Sequence, residues 1–481
     1  LMRGAPDRET QWIGASQDPV DPSNDPAHPE KWGDDRTIRS GVLAWLVSDP
    51  EAAPFIHPSG VGLAGAKIAG KLDLSYQEVA RPLTLIRCAI PDGIDFSYSS
   101  IASLDLRSSI TGPVFGDFSR VKSDLAMQFG SYQTVSVYRA TIGGNLDFSS
   151  AKLTGSGAAE TVSAQEASIG GDAVFHQDFT TDGLLDFRLA KIGRSLSINH
   201  AHFIGTNENG LDAERIAVAG PFYWVAVEHT PHTQLDLENA SVASLFDDRA
   251  SWPASGNLDI EGFTYGTFGG DAPADSIDRL VWLGLQPPGY RPQPYMELAD
   301  AMKQSGRSEG AIEVLVAQRV AQRHSGRMSF PSRMWNLLLD STIGYGYRPL
   351  RALWWIGGFV LLGTILFERG YRAGVMTPTD AAAFESYARS GRPPAHYPHF
   401  NAFVYSLENF LPVVDLRLGN HWHPNVYHRI RHNKSDAAER NLVGKTRMGT
   451  LLRWYLWFHI LAGWVITPLL FAGLSGLIRA E

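Results

Sequence analysis

Short runs in which apolar and polar positions alternate fill the first half of the chain. Leu72-Asp73-Leu74 places two apolar side chains on one side of an extended strand and Asp73 on the other. The triplet returns at Ile94-Asp95-Phe96, Leu104-Asp105-Leu106, Leu185-Asp186-Phe187, Leu235-Asp236-Leu237 and Leu258-Asp259-Ile260. A longer unit, Ala66-Lys-Ile-Ala-Gly-Lys-Leu-Asp-Leu-Ser75, recurs as Ala140-Thr-Ile-Gly-Gly-Asn-Leu-Asp-Phe-Ser149, with weaker copies from Ala167 and Ala190. Several spacings fall in the low twenties, with one of ten between the copies at 94 and 104. Strands this short cannot hold a flat sheet by themselves, but stacked coils bury a continuous apolar column. The pattern therefore predicts a multidomain chain whose largest part, residues 59–268, is a mainly-β, right-handed parallel β-helix. A strict five-residue step is not kept, so the repeat is pentapeptide-like at most. A β-sandwich is the alternative, and the hairpin turn signals it needs are scarce.

Asp73, Asp105, Asp147, Asp186 and Asp259 form a recurrent acidic series. A polysaccharidase is conceivable on such an array. No pair stands out from it, however, and the plainer expectation is that the carboxylates hydrate the outer face and discourage edge association. A protein or small ligand on that face stays open.

A solenoid needs its ends covered. In residues 1–58, Asp35 followed by RTIRSGVLAWLVSD reads as a capped amphipathic helix, with Ile38, Leu43, Leu46 and Val47 facing inward and Pro50 as its stop. In residues 269–330, Pro294-YMELADAMKQS, Gly306 and SEGAIEVLVAQRVAQRH predict a helical hairpin that resembles one tetratricopeptide-like unit. Ser332 to Ile343 forms a further short helix, with Trp335, Leu337, Leu338 and Leu339 suited to a membrane interface.

Beyond residue 348 the period changes to long apolar runs, making 331–481 a two-helix membrane domain. Leu350 to Phe367 is apolar apart from Arg351 and, at 1.5 Å per residue, reaches about 27 Å. Trp454 to Ile478 is bracketed by Arg453 and Arg479 and contains Pro468, a kink site, and the small residues Ala472, Gly473 and Gly476. His459 is the ionisable side chain well inside this second run, which marks it as a functional candidate or an interfacial residue. Phe400 to Leu416, between the runs, is apolar enough to enter a membrane and too short to cross it. Span, half-inserted segment, span is the plan of a two-transmembrane pore subunit, with Glu408, Asp415, Asn409 and Ser406 as candidate pore-lining residues. An amphipathic helix lying on the membrane is the competing expectation for 400–416.

The chain has 481 residues, a formal charge of −8 and 19% charged residues, which argues against a nucleic-acid partner and against bulk disorder. One cysteine, Cys88, excludes an internal disulfide framework and Cys-clustered metal sites. Seven of the fifteen histidines follow residue 395: His396, His399, His421, His423, His428, His432 and His459. His421 and His423 share one side of a strand, and His428 and His432 one face of a helix. That set is a weak candidate for Zn²⁺, copper or a pH sensor. No GxGxxG, Walker A, GxSxG or Cys-based motif occurs, so no enzyme and no cofactor is expected. A redox role would require a cofactor held by the histidines. The first forty residues lack an apolar signal region, which predicts a cytoplasmic N-terminal domain.

The stretches IRSGVLAWLVSDPEA, AKIAGKLDLS, IGYGYRPLRAL, YSLENFLPVVDL and WYLWFHILAGWVITPLLFAGLSGLIR resemble a bacterial membrane-protein family that joins an Ile-Gly-Gly-x-Leu-Asp β-helix domain to a two-span C-terminal part. The resemblance implies a multi-pass protein of the inner membrane and brings no established activity. The C-terminal plan is also similar in topology to two-transmembrane cation channels. Ile343-Gly-Tyr-Gly346 precedes the first span, where a potassium filter cannot sit. The expectation is a homo-oligomer in the lipid bilayer, passing inorganic cations, with the β-helix as a sensory or assembly domain. A membrane-anchored scaffold is the alternative.

Overall fold

The computed structural model describes residues 11–14, 21–155, 160–206, 209–325, 329–426 and 447–475. They form two compact units, Leu1–Ala321 and Gln322–Glu481.

The first unit is a β-solenoid of about nine turns, the number of strands stacked along one of its sides. Every pairing within it is parallel. Ile94 lies beside Val114 and Leu104 beside Leu125, so a turn takes 20 or 21 residues there. Each turn has four short sides, and each side sends two residues inward. Ile94 and Phe96, Ser99 and Ile101, Leu104 and Leu106, and Ser109 and Thr111 are all buried. The inward pairs thus step by five, with a sixth residue at some corners, which is why the sequence spacing drifts. Phe148 stacks on Phe175 at 5.0 Å within the column. Each such apolar side chain contributes about 1.5–3 kcal/mol by leaving water.

The two motif residues of the repeat have separate jobs. The aspartate of the Leu-Asp-x triplet accepts the backbone N–H two residues on: Asp73 from Ser75 at 3.0 Å, Asp147 from Ser149 at 2.9 Å, Asp259 from Glu261 at 3.1 Å. It caps the tight turn that follows, where residues such as Tyr76, Tyr98 and Ser150 hold positive φ of 57°, 59° and 56°. Hydration of the outer face, the sequence expectation, is therefore only part of its role. Gly143, Gly170 and Gly193 stack at one corner because a Cβ on each would overlap the carbonyl oxygen of Lys122, Gly143 and Gly170 of the preceding turn. Beside them Asn145 N–H donates to Asp124 at 2.7 Å, Asp172 N–H to Asn145 at 2.8 Å, and Ser195 N–H to Asp172 at 2.9 Å.

Near the N-terminal turn, α1 (Ser40–Ser48) begins four residues later than a cap at Asp35 implies. Thr37–Arg39 pair with Lys67–Ala69 instead, because β-branched Thr37 and Ile38 find strand partners there. Leu43 is its one fully buried residue. Arg36 is buried, donates to Gly65 O at 2.8 and 3.0 Å and lies 4.0 Å above the Trp32 ring. After the last turn come α2 (Ser276–Leu283), α3 (Gln293–Gln304) and α4 (Ser308–His324); the last two are the helical pair expected from the sequence.

The second unit holds α5 (Phe330–Ile343), α6 (Arg351–Arg372), α7 (Ala381–Ser390), α8 (Ala402–Phe410) and α9 (Arg447–Leu474). Of these, α6 and α9 are long and apolar enough to cross a membrane. Their outward residues are large and apolar: Trp354 is 85% exposed, Leu361 64% and Leu461 64%. That distinguishes them from the core helices of a water-soluble unit. Met376–Pro378 pairs antiparallel with Trp422–Pro424, a small sheet that the sequence analysis did not foresee.

Candidate functional site

The segment 400–422 forms a hairpin packed along α6. Asn401 caps α8, its Oδ1 accepting Val404 N–H at 3.1 Å. Going into the hairpin, Phe400 stacks on Tyr371 at 4.8 Å, Tyr405 meets Phe367 at 4.9 Å, and Phe410 stacks on Phe359 at 5.4 Å. The helix therefore descends alongside α6 from its C-terminal end to about its middle. Coming back, Trp422 returns to Tyr371 at 5.6 Å and Phe400 at 5.4 Å. The turn between, residues 411–417, is non-helical.

Three residues fix this depth. Ser406 Oγ donates to Val360 O of α6 at 2.8 Å. His459 of α9 is fully buried, with Nε2 3.0 Å from Ser406 O and 3.3 Å from Ser406 Oγ. A carbonyl only accepts, so Nε2 carries the proton and Nδ1 accepts from the Tyr455 hydroxyl at 3.3 Å. Gly363 and Gly463 make room: a Cβ on the first would overlap Ser406 Oγ, and on the second Phe410 O.

The four candidate pore-lining residues thus separate. Ser406 faces inward and ties α8 to both long helices. Glu408 Oε2 accepts Leu418 N–H at 2.9 Å and Gly419 N–H at 3.0 Å, holding the returning strand against α8. Asn409 Nδ2 donates back to Tyr405 O at 2.8 Å. Asp415 is exposed at the tip, accepting Arg417 N–H at 2.9 Å, and Arg417, with φ 59°, is exposed beside it. Val413 and Leu416 there are 78% and 48% exposed.

Among the described residues the histidines form no cluster of the kind that holds a metal. His421 packs edge-on to Tyr397 at 5.4 Å, while the Nδ1 of His423 is buried with no hydrogen-bond partner among the described residues. Burial, and then the charge of Arg453, lowers the pKa of His423. His428 and His432 lie outside the described residues. Among the described residues no group of three or more His, Cys, Asp or Glu has the arrangement of a metal site. Sequence reasoning singled out Ser406 and His459 without pairing them, and it passed over Gly363 and Gly463. The signal for the glycines was their place in otherwise bulky apolar helices.

No protein-family model, no curated protein and no solved structure matches this chain.

Proposed function

We propose that the chain is an integral membrane protein in which α6 and α9 span the bilayer, 400–422 is a re-entrant hairpin, and several copies surround a cation path at the hairpin tips. The observation that carries this reading is the exposed tip. The non-helical turn that carries Asp415 and Arg417 follows directly on Phe410, which packs on Phe359 near the middle of α6 and against Gly463 near the middle of α9. In lipid, each unsatisfied backbone group costs several kcal/mol, and an aspartate at the bilayer centre about 2.5–3.5 kcal/mol. Such a tip belongs against protein and water, and two spans per chain cannot enclose water alone. Neighbouring copies complete the enclosure. The C-terminal end of α8 points its partial negative charge at the same place, which together with Asp415 favours a cation.

In this reading Asp415 lines the path, while Ser406, Glu408 and Asn409 hold the hairpin that presents it. The solenoid serves as the sensory or assembly domain, with α1 and the α2–α3 pair as its end caps, on the cytoplasmic side of a bacterial inner membrane. Arg417 beside Asp415 favours a second reading: tips that pair charge to charge with no open path, in a scaffold that docks partners on the solenoid. Cation flux into liposomes containing the purified full-length protein, with its oligomeric mass in detergent, separates the two. Flux from a defined oligomer, reduced in Asp415→Asn, supports the path. An oligomer that stays silent across pH and voltage supports the scaffold, and a monomer removes both.

A further inference from the structure

The helix α5 presents two unlike faces. Toward the rest of its unit it buries Asn336, Thr342 and Ile343, with Asn336 Oδ1 accepting the Tyr345 hydroxyl at 2.6 Å. On the opposite side Phe330, Met334 and Leu337, at i, i+4 and i+7, are 76%, 50% and 47% exposed, with Trp335 at 53% on the flank. The C-terminal turn of α5 is tied to the start of α6, where Trp355 Nε1 donates to Ser341 O at 2.9 Å. The exposed face of α5 therefore lies beside the end of the apolar belt of α6, where Leu353 and Trp354 are 51% and 85% exposed.

Charge gathers at the same end. From residue 329 to 353 the charged residues are Arg333, Asp340, Arg348 and Arg351. The one acid is taken up by Arg323, whose Nη1 is 3.1 Å from Asp340 Oδ2, whereas Arg333 and Arg351 are exposed. At the other end of α6, Glu368 offsets Arg372 at 2.7 Å. An apolar helical face continuous with a spanning helix, flanked by tryptophans and arginines, has the chemistry of an in-plane interfacial helix.

We infer that α5 lies in the headgroup layer at the N-terminal end of α6 and that Arg333 and Arg351 recruit anionic phospholipid headgroups to that leaflet. The inference rests on the membrane reading of α6. It goes beyond that reading by naming the surface, its depth and the class of lipid. An arginine near an anionic leaflet changes the seated population of such a helix by about fivefold.

The test uses the full chain, in which Cys88 is buried and an introduced cysteine supplies the reactive thiol. Met334→Cys, Ser332→Cys and Leu361→Cys each carry a nitroxide in vesicles of phosphatidylcholine with phosphatidylglycerol, or phosphatidylcholine alone. Its access to oxygen against a water-soluble nickel chelate gives depth. The expected result is an interfacial position 334, a more aqueous 332 and a deep 361. Position 334 shifts toward water when Arg333→Gln and Arg351→Gln are combined, in the anionic vesicles only. A position 334 as aqueous as 332 in anionic vesicles, with 361 deep, overturns the inference and leaves the membrane reading standing. Seating of 334 that ignores both phosphatidylglycerol and the arginine changes overturns the headgroup assignment. An aqueous 361 overturns both readings together.

Discussion

His459 and Ser406, 53 residues apart in the chain, meet through two contacts inside the second unit: imidazole Nε2 to the serine carbonyl at 3.0 Å and to its hydroxyl at 3.3 Å. Because Ser406 Oγ also reaches Val360 O, one serine joins α6, α8 and α9. His459→Ala leaves that carbonyl without its donor and opens a cavity among Phe359, Phe367 and Phe410, all of which contact the imidazole. The expected loss is about 1–2 kcal/mol, with partial recovery in His459→Gln, which retains an N–H. Denaturation of the purified protein in detergent, followed by tryptophan fluorescence, measures it. Equal stability of the alanine variant and wild type would remove the anchoring role.

Gly463 carries a different constraint, since its missing side chain is filled by the Phe410 carbonyl, a rigid neighbour. Gly463→Val should push α8 off α9 and cost about 3 kcal/mol. Gly473, whose added Cβ would meet Pro349 Cβ at 3.0 Å and backbone no nearer than 3.7 Å, should tolerate alanine far better. Protease sensitivity of the hairpin in the two variants separates a displaced α8 from a general loss of fold.

In the solenoid unit, Arg279 and Asp247 form a bidentate ion pair at 2.6 and 2.8 Å, with the arginine 0% and the aspartate 4% exposed. Trp252 Nε1 donates to the same carboxylate at 2.8 Å, and the guanidinium lies 3.9 Å from the Phe268 ring centre. Removing one partner strands a buried charge. Arg279→Met or Asp247→Leu alone should cost about 3–5 kcal/mol, and the double variant much less than their sum. A double-mutant cycle on thermal unfolding decides it; additive losses would mean that the pair does not act as a unit.

Asp236 supplies a pH dependence. Its carboxyl is pushed up to about 6, mainly by burial, with the in-register carboxylates Asp212 and Asp259 adding to the shift against the Glu238 N–H that lowers it. Arg188 lies 3.4 Å from Asp212, and Arg291 is bonded to Asp259, so neither acid is fully uncompensated. A raised carboxyl pKa makes the protonated form the one the fold prefers. Its contribution is complete below the unfolded value near 4 and is lost as pH rises through about 6. Asp236→Asn keeps an acceptor for the turn and should gain about 1 kcal/mol at pH 7, after allowance for solvent screening, with little change at pH 4. Thermal melts of both proteins across pH 4 to 7 test the sign; a gain at pH 4 as large as at pH 7 would contradict it.

Much of the architecture was legible because it repeats. The triplet Leu72-Asp73-Leu74 and its copies report alternation directly, and stacked identical sides need little long-range information beyond it. The start of α1 was misread, since helix capping at Asp35 competed with strand pairing of Thr37–Arg39 against Lys67–Ala69, a partner thirty residues on. The candidate site was legible in part. His459 stood out as an ionisable residue in an apolar run, and 400–416 as a segment too short to cross. Glu408 and Asp415 looked alike in the sequence because nothing local distinguishes a carboxylate that binds two backbone N–H groups from one left at a tip.

Periodicity and apolar length are properties of neighbouring residues, so the sequence by itself determined a coiled β domain followed by two apolar helices and a short apolar insert. Which residues meet is decided by the burial of whole elements against each other. Only the tertiary structure brought Ser406 to His459, seated Phe410 on Gly463, and paired Arg279 with Asp247. It also sent Glu408 inward, where its carboxylate accepts the N–H groups of Leu418 and Gly419, and left Asp415 exposed at the tip, where it accepts the N–H of Arg417 two residues on.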